Sequence, residues 1–244
     1  MTLFTWPIPK EDTITMPAML RNLLARAPNM DDLEAVAELR MASDLADYGM
    51  PDSTEQDILV DWQRPGFNLN TDAWVVVTTD GHFVGYASVW HCQYMRLHTF
   101  ACVHPAYRGR GIGMLLLRLA EARAREQIGG THPAVRVTLQ STVSHSNEGA
   151  CRFLEREGYT PLRHFWRLIV ETEDDPSEPL AEYSQRDKLK LDLVVDAENL
   201  MGTTHMHQRT GIYLARQYDI YEKELRAGQE RPLAESLSEA MACA

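Results

Sequence analysis

The residues best suited to chemistry are the six from Arg108 to Gly113, which read Arg-Gly-Arg-Gly-Ile-Gly. Glycines at alternate positions let a backbone come close to a ligand, because no Cβ stands in the way. The amides that such a loop exposes attract an anion, and more strongly where the loop runs into the positive end of a helix. A helix is expected next. Ile112, Leu115, Leu116 and Leu119 fall at i, i+3, i+4 and i+7, with Arg118, Glu121 and Arg125 on the opposite face. A strand-like run ends at Val103, so the order is strand, glycine loop, helix.

The spelling of the loop separates it from other phosphate binders. A Walker loop ends in Gly-Lys-Ser/Thr, which is absent here, and the dinucleotide fingerprint G-x-G-x-x-G is broken because Met114, Leu115 and Leu116 follow Gly113. Elsewhere the candidates are sparser. His98 lies in a run from Met95 to Val103 that holds no Asp or Glu, and two readings of it stand: a proton acceptor with an ordinary pKa near 6.5, or a hydrogen-bonded structural histidine. His205 and His207 are two histidines without further ligands, which falls short of a metal site, so no metal is expected. Trp62, Trp74 and Trp90 read as core residues rather than as an aromatic cage.

Composition excludes several classes. A chain of 244 residues with 44% hydrophobic content holds one ordinary domain and part of another. A net charge of -11 argues against nucleic acid, whose phosphates are bound by Lys and Arg. No stretch is long and apolar enough for a membrane helix. The start of the chain, with Pro7, Pro9, Lys10, Glu11 and Asp12, lacks the apolar core of a signal peptide. Cys92, Cys102, Cys151 and Cys243 are scattered without a C-x-x-C pair, which favours reduced thiols and a cytoplasmic setting.

A first strand is predicted within Met19 to Arg26, followed by Asn29-Met30-Asp31-Asp32 as a cap to a helix carrying Leu33, Val36, Ala37, Leu39 and Arg40. A second helix is predicted near Thr54 to Gln63, closed by Pro65-Gly66. Strands Trp74 to Thr79 and Phe83 to Trp90 flank Asp80-Gly81, a strong hairpin signal. Further strands are expected over Met95 to Val103, Ala134 to Thr142 and Arg163 to Val170, with a helix from Asn147 to Glu157 stopped by Gly158.

With its lead-in Val103-His104-Pro105-Ala106-Tyr107, the loop resembles the R-x-x-G-x-G pyrophosphate loop of the GNAT superfamily of acyl-CoA-dependent acyltransferases. The resemblance implies an α/β GNAT fold across Leu20 to Val170, a mixed, mostly antiparallel sheet flanked by helices. It implies acetyl-CoA as cosubstrate, with Arg108, Gly109, Arg110, Gly111, Ile112, Gly113 and Met114 on the pyrophosphate and Ala101, Cys102 and Val103 beside the acyl group and pantetheine arm. The Cys102 backbone would polarise the thioester carbonyl. Asn147 matches a family position that contacts the cofactor, and it equally reads as a helix N-cap. Glu55 and Asp57 lie where the family's acceptor-side helices sit, or are only a solvated face.

Two departures from the family pattern stand out. Its common general acid, a Tyr four residues before the helix-ending Gly, is replaced by Leu154, and its common acidic base on the fourth strand has no counterpart except His98. The loss of an acid is the lesser problem. Freeing a lysine-like amine of its proton at pH 7 costs about 4.6 kcal/mol, whereas a thiol of ordinary pKa sets only about 2 kcal/mol against thiolate departure.

The last third repeats part of this pattern. Asn199, Gly211, Arg216 and Tyr218 echo Asn147, Gly158, Arg163 and Phe165, with the same five-residue step from Gly to Arg. This resembles the C-terminal half of a second GNAT domain. The expected organisation is therefore an N-terminal extension at 1–18, a GNAT domain at 19–170, an acidic Pro-containing linker at 171–189, a β-α-β half repeat at 190–226 and a disordered tail at 227–244. The half-repeat strands need partners, either the edge of the first sheet or another chain in an exchanged homodimer. Two functions remain open: an N-acetyltransferase acting by direct attack of a primary amine of a small molecule or peptide, and an acyl-CoA-binding sensor or scaffold that has lost turnover.

Overall fold

Local chemistry sets the first elements. The computed structural model describes residues 22–51, 53–92, 96–130, 132–171, 190–196 and 212–229. Strand β1 (Leu23–Arg26) leads to Asn29, whose side chain accepts from the Asp31 amide while the Asp32 carboxylate takes the Asn29 amide at 2.8 Å. This capping box starts a helical turn that continues into α1 (Leu33–Tyr48). Thr54 and Asp57 form a second capping box at the start of α2 (Glu55–Trp62). The first falls at the expected cap, and the second opens the helix expected near Thr54 to Gln63. A short helix that the sequence did not announce, α3 (Leu69–Asp72), follows under the cap of Asn68.

The hairpin of β2 (Ala73–Thr78) and β3 (Phe83–Cys92) turns at Asp80-Gly81, with Gly81 at φ 86°. Then come β4 (Arg96–Val103), α4 (Ile112–Gln127), β5 (Val137–Ser144), α5 (Glu148–Arg156), β6 (Thr160–Glu171), β7 (Lys190–Asp196) and β8 (Ile212–Arg226). They build one eight-stranded sheet in the order β1-β2-β3-β4-β5-β8-β6-β7. Every pairing is antiparallel except β4 with β5.

Helices cover both faces. On one, Val36, Ala37 and Leu39 of α1 and Ile58 and Trp62 of α2 pack on Val75, Val77, Tyr86 and Cys102. On the other, Leu117, Ala120 and Ala124 of α4 and Leu154 of α5 pack on Val89, Leu97, Leu139 and Tyr221. The Trp62 indole is buried in the first core and donates to Tyr86 Oη at 2.9 Å, and Trp74 packs in the second, as core residues should. No helix among the described residues is long and apolar enough to cross a membrane.

The C-terminal third departs from the expectation of a half repeat beside a domain complete at Val170. Strand β8 lies between β5 and β6, pairing Ser141 with Tyr221 on one side and His164 with Asp219 on the other. It is an interior strand of the first sheet, and β7 is added outside β6. The insertion is fixed by side chains as well as by the ladder. Lys223 of β8 reaches the buried Glu121 of α4 at 2.7 Å and the Glu157 carbonyl at 2.8 Å, and Arg136 binds Glu222 at 2.7 Å and Glu224 at 2.8 Å. Both strands thus find their partners within one chain. Residues 227–229, expected in the tail, are tied to the sheet, since Gln229 exchanges backbone hydrogen bonds with Arg136 and Ala134 at 3.1 and 2.7 Å, and residues 230–244 lie outside the described residues. The helix expected after Asn199, the linker, His205, His207, Cys243 and the N-terminal extension lie outside the described residues.

Candidate active site

Strands β4 and β5 run parallel from Arg96↔Thr138 to Thr99↔Ser141, and there their pairing stops. Strand β4 continues to Val103 against β3 alone. A wedge-shaped opening therefore separates Phe100–Val103 from Thr142–Ser144, and the backbone groups on that side of β4 have no β5 partner. The His104 amide donates to the Val84 carbonyl at 3.0 Å. Counting back through an antiparallel ladder, in which alternate residues bond to the same neighbour, Cys102 and Phe100 also turn their amides toward β3, whereas Ala101 and Val103 turn theirs into the wedge. The carbonyl of Val103 agrees, since it is free to accept from Arg108 Nε at 3.2 Å. Of the three residues expected beside the acyl group, it is the Ala101 and Val103 amides, and not that of Cys102, that face the opening.

The glycine loop lies at the mouth of the wedge. Gly109 and Gly111 have φ 75° and 88°, in the left-handed region that favours glycine, and a Cβ at either would meet nothing within 4 Å. The helix ladder begins with Leu115 donating to the Gly111 carbonyl at 3.1 Å. The amides of Ile112, Gly113 and Met114 precede it and have no intrahelical acceptor. The two arginines are engaged in shaping the loop. Arg110 donates to the Ala106 carbonyl at 3.0 Å and lies over the Tyr107 ring, while Arg108 reaches Ser43 at 2.9 Å and Asp47 at 2.7 Å on α1. The loop thus presents main-chain donors to open space, a cradle that fits a diphosphate.

Asn147 is the N-cap of α5, as one of its two readings expects. Its Oδ1 accepts from the Ala150 amide at 3.0 Å, capping α5, and its Nδ2 donates to both Asp47 oxygens at 3.2 Å. Asp47 is a residue that sequence reasoning missed. It ends α1 with no motif around it, yet it joins the loop after β4 to the start of α5 across the mouth of the wedge.

On the α1/α2 side, a row of polar side chains crosses the sheet below the wedge. His98 pairs with Trp90 of β3 and Gln140 of β5, and its ring stacks on Trp90 with centroids 5.7 Å apart. Burial, helped by the charges of Arg64 and Arg96, pushes the His98 imidazole down to about 4, so it is neutral at physiological pH. Gln140 then donates to Glu222 of β8 at 3.0 Å. Burial tends to raise the Glu222 carboxyl, but the hydrogen bonds from Gln140 and Arg136 outweigh it and hold the group below its usual range. Glu222 was also missed, because its strand reads as part of a separate unit.

Other residues are more distant from this chemistry. Leu154 is 5% exposed and packs in the α4/α5 core. Asp57 is spent on the Thr54 cap, its carboxylate accepting from the Thr54 amide at 2.9 Å. Among the described residues Cys102 and Cys151 are free thiols, and burial drives the Cys102 thiol up to about 12. A thiol that keeps its proton is no nucleophile.

The sequence matches the acetyltransferase (GNAT) family over residues 33–159. The solved GCN5-related N-acetyltransferase from Sphaerobacter thermophilus superposes with a TM-score of 0.75 at 21% identity, covering 89% of this chain and 99% of that one. Two others give a TM-score of 0.50: yncA from Salmonella typhimurium with its cofactor acetyl-CoA, at 17% identity over 84% of this chain and 94% of that one, and a phosphinothricin acetyltransferase from Sinorhizobium meliloti in complex with acetyl-CoA, at 15% identity over 88% and 95%. At these identities the likeness is one of fold. No curated protein matches the sequence.

Proposed function

We propose, from the premise that the chain belongs to the GNAT acetyltransferase family and is an acyltransferase drawing on acetyl-CoA, that it transfers the acetyl group to a primary amine of a small molecule or peptide by direct attack. The observation that carries this reading is the continuity of donors from the cradle at Gly109–Met114 to the wedge at Ala101 and Val103. Acetyl-CoA brings an activated carbonyl on a leaving group that departs as a thiolate. The chain's part is to hold the diphosphate by main-chain amides and to polarise the carbonyl through the Ala101 amide, worth roughly 3 to 4 kcal/mol where such a donor is preorganised.

His98 is the proposed proton acceptor. Its neutral ring lies in a stacked, half-buried position, one strand from Gln140 and two from Glu222. A base this weak accepts little from a free ammonium and acts once attack on the carbonyl has made the nitrogen acidic. Direct transfer is favoured over an acetyl-cysteine intermediate because the Cys102 thiol stays protonated. Leu154 leaves the departing sulfur without the family's common acid, and general acid help is worth about 10²- to 10⁴-fold, so turnover is expected to be slow rather than absent.

Release of free thiol from acetyl-CoA across a panel of primary amines tests the proposal, and acetylated product with at least one amine is the expected result. A second reading, acyl-CoA binding without turnover, rests on the burial of Leu154 at the acid position. Tight acetyl-CoA binding with no thiol release to any amine or to water would establish it instead.

A further inference from the structure

Five carboxylates among the described residues are buried: Asp32, Asp72, Glu121, Asp219 and Glu222. Four of them hold a permanent cation, Arg26 for Asp32, Arg123 for Asp72, Lys223 for Glu121 and Arg136 for Glu222. Asp219 differs. Its ion-pair partners among the described residues are two histidines, with His164 Nδ1 at 2.6 Å from Oδ1 and His145 Nδ1 at 3.0 Å from Oδ2. A histidine supplies positive charge only when protonated, so this is the buried carboxylate whose compensation is not built in.

The three side chains come from three neighbouring segments at one level of the sheet. His145 directly follows β5, Asp219 is on β8, and His164 is paired with Asp219 on β6. The backbone holds them there, since the His145 amide donates to the Gln217 carbonyl at 3.1 Å. The rings meet edge to face with centroids 6.2 Å apart, and one ligand atom from each residue lies within 4.8 Å of the other two. The imidazoles are more than half exposed while the carboxylate beneath them is 6% exposed, which leaves the outward side open.

We infer that His145, His164 and Asp219 bind a first-row divalent cation such as Zn²⁺ on the α5 side of the sheet. Two imidazole nitrogens and one carboxylate oxygen are the donors that zinc takes, and in tetrahedral geometry bonds of about 2.0 to 2.2 Å put ligand atoms about 3.3 to 3.6 Å apart. The present separations, 2.6 and 3.0 Å from Asp219 and all within 4.8 Å, lie around that spacing. The same donors suit Zn²⁺, Co²⁺ and Ni²⁺ far better than Mg²⁺ or Ca²⁺, which prefer oxygen. The ion would supply a permanent positive charge at Asp219 and clamp β8 to both of its neighbours. The fourth position faces solvent. No sequence motif announces the site, because 74 and 55 residues separate His145 and His164 from Asp219.

The test uses the full chain, stripped with a chelator, desalted and titrated with Zn²⁺ against a chromogenic competitor. One equivalent should bind and the melting temperature should rise with it. His145→Ala, which alters an exposed loop side chain, and Asp219→Asn should each weaken binding by at least the roughly 10- to 100-fold that outer-shell partners alone are worth. His82→Ala, at an exposed histidine elsewhere, should leave binding unchanged. Co²⁺ in place of Zn²⁺ should give the visible absorption of a four-coordinate site, lost in His145→Ala. The inference is overturned if no stoichiometric binding occurs, or if folded His145→Ala binds as the parent does.

Discussion

The carboxylate of Asp47 holds the guanidinium of Arg108 with two hydrogen bonds, at 2.7 and 3.1 Å. It also receives the Asn147 amide, so one side chain on α1 joins the glycine loop to the α5 cap above the point where β4 and β5 part. Substitution Asp47→Asn removes the charge and keeps the shape. A hydrogen bond to a charged group contributes about 1.5 kcal/mol or more. The KM for acetyl-CoA should rise roughly tenfold, with a smaller change in kcat, as steady-state kinetics would show. An unchanged KM would mean that the link does not position the loop.

Gly111 should matter for conformation rather than for space. At φ 88° with nothing near its Cβ position, Gly111→Ala meets no clash but costs about 1–2 kcal/mol of left-handed strain. A free loop that relaxes this strain must take it up again on binding, so acetyl-CoA affinity measured by calorimetry should fall by up to roughly 5- to 30-fold. Gly113→Ala is the contrast for stability. It lies inside α4, its Cβ would sit an ordinary 3.9 Å from Val103 Cγ2, and helix propensity should add about 0.5–1 kcal/mol to thermal stability.

Lys223 reports whether β8 is integral to the fold. Its ammonium meets Glu121, a residue only 1% exposed, on α4. Lys223→Met removes one partner of a buried pair, and denaturant unfolding should show a loss of about 3 kcal/mol. Arg118 and Arg125 stay near Glu121 and limit the loss. A change within about 0.5 kcal/mol, as at ordinary surface sites, would contradict the placement of β8.

His98 makes stability depend on pH. Its native pKa near 4 lies below the unfolded value of 6.5. Between those values the unfolded chain binds more protons, so stability is full above about pH 6.5 and falls as pH drops toward 4, by up to about 3 kcal/mol. Unfolding free energies across this range should show that slope, and His98→Gln should lack it.

The glycine loop was legible because its signal is local: alternate glycines, a strand before and an apolar stripe after. The cap at Asn29 was legible for the same reason, whereas at Thr54 the helix was read without its capping box. Strand β8 was not. Its partners in β5 lie some 80 residues back, as with Gln140 and Glu222 at a separation of 82, and its spacing of Gly211 to Arg216 imitates that of Gly158 to Arg163 closely enough to suggest a repeat. Amide direction in β4 was equally hidden. Whether Ala101 or Cys102 faces the wedge depends on which ladder residues bond to β3, a parity that the residue types do not encode. Asp47 and Glu222 acquire their roles only through packing against segments remote in sequence.

Main-chain amides of the loop and wedge that hold acetyl-CoA must lose solvent contact on binding, which hydrogen exchange resolved to single amides would register. With coenzyme A bound, the amides from Gly109 to Met114 and those of Ala101 and Val103 should exchange more slowly, while Cys102, already bonded to β3, should change least. Binding that leaves 109–114 unprotected and slows amides elsewhere would place acetyl-CoA away from the loop.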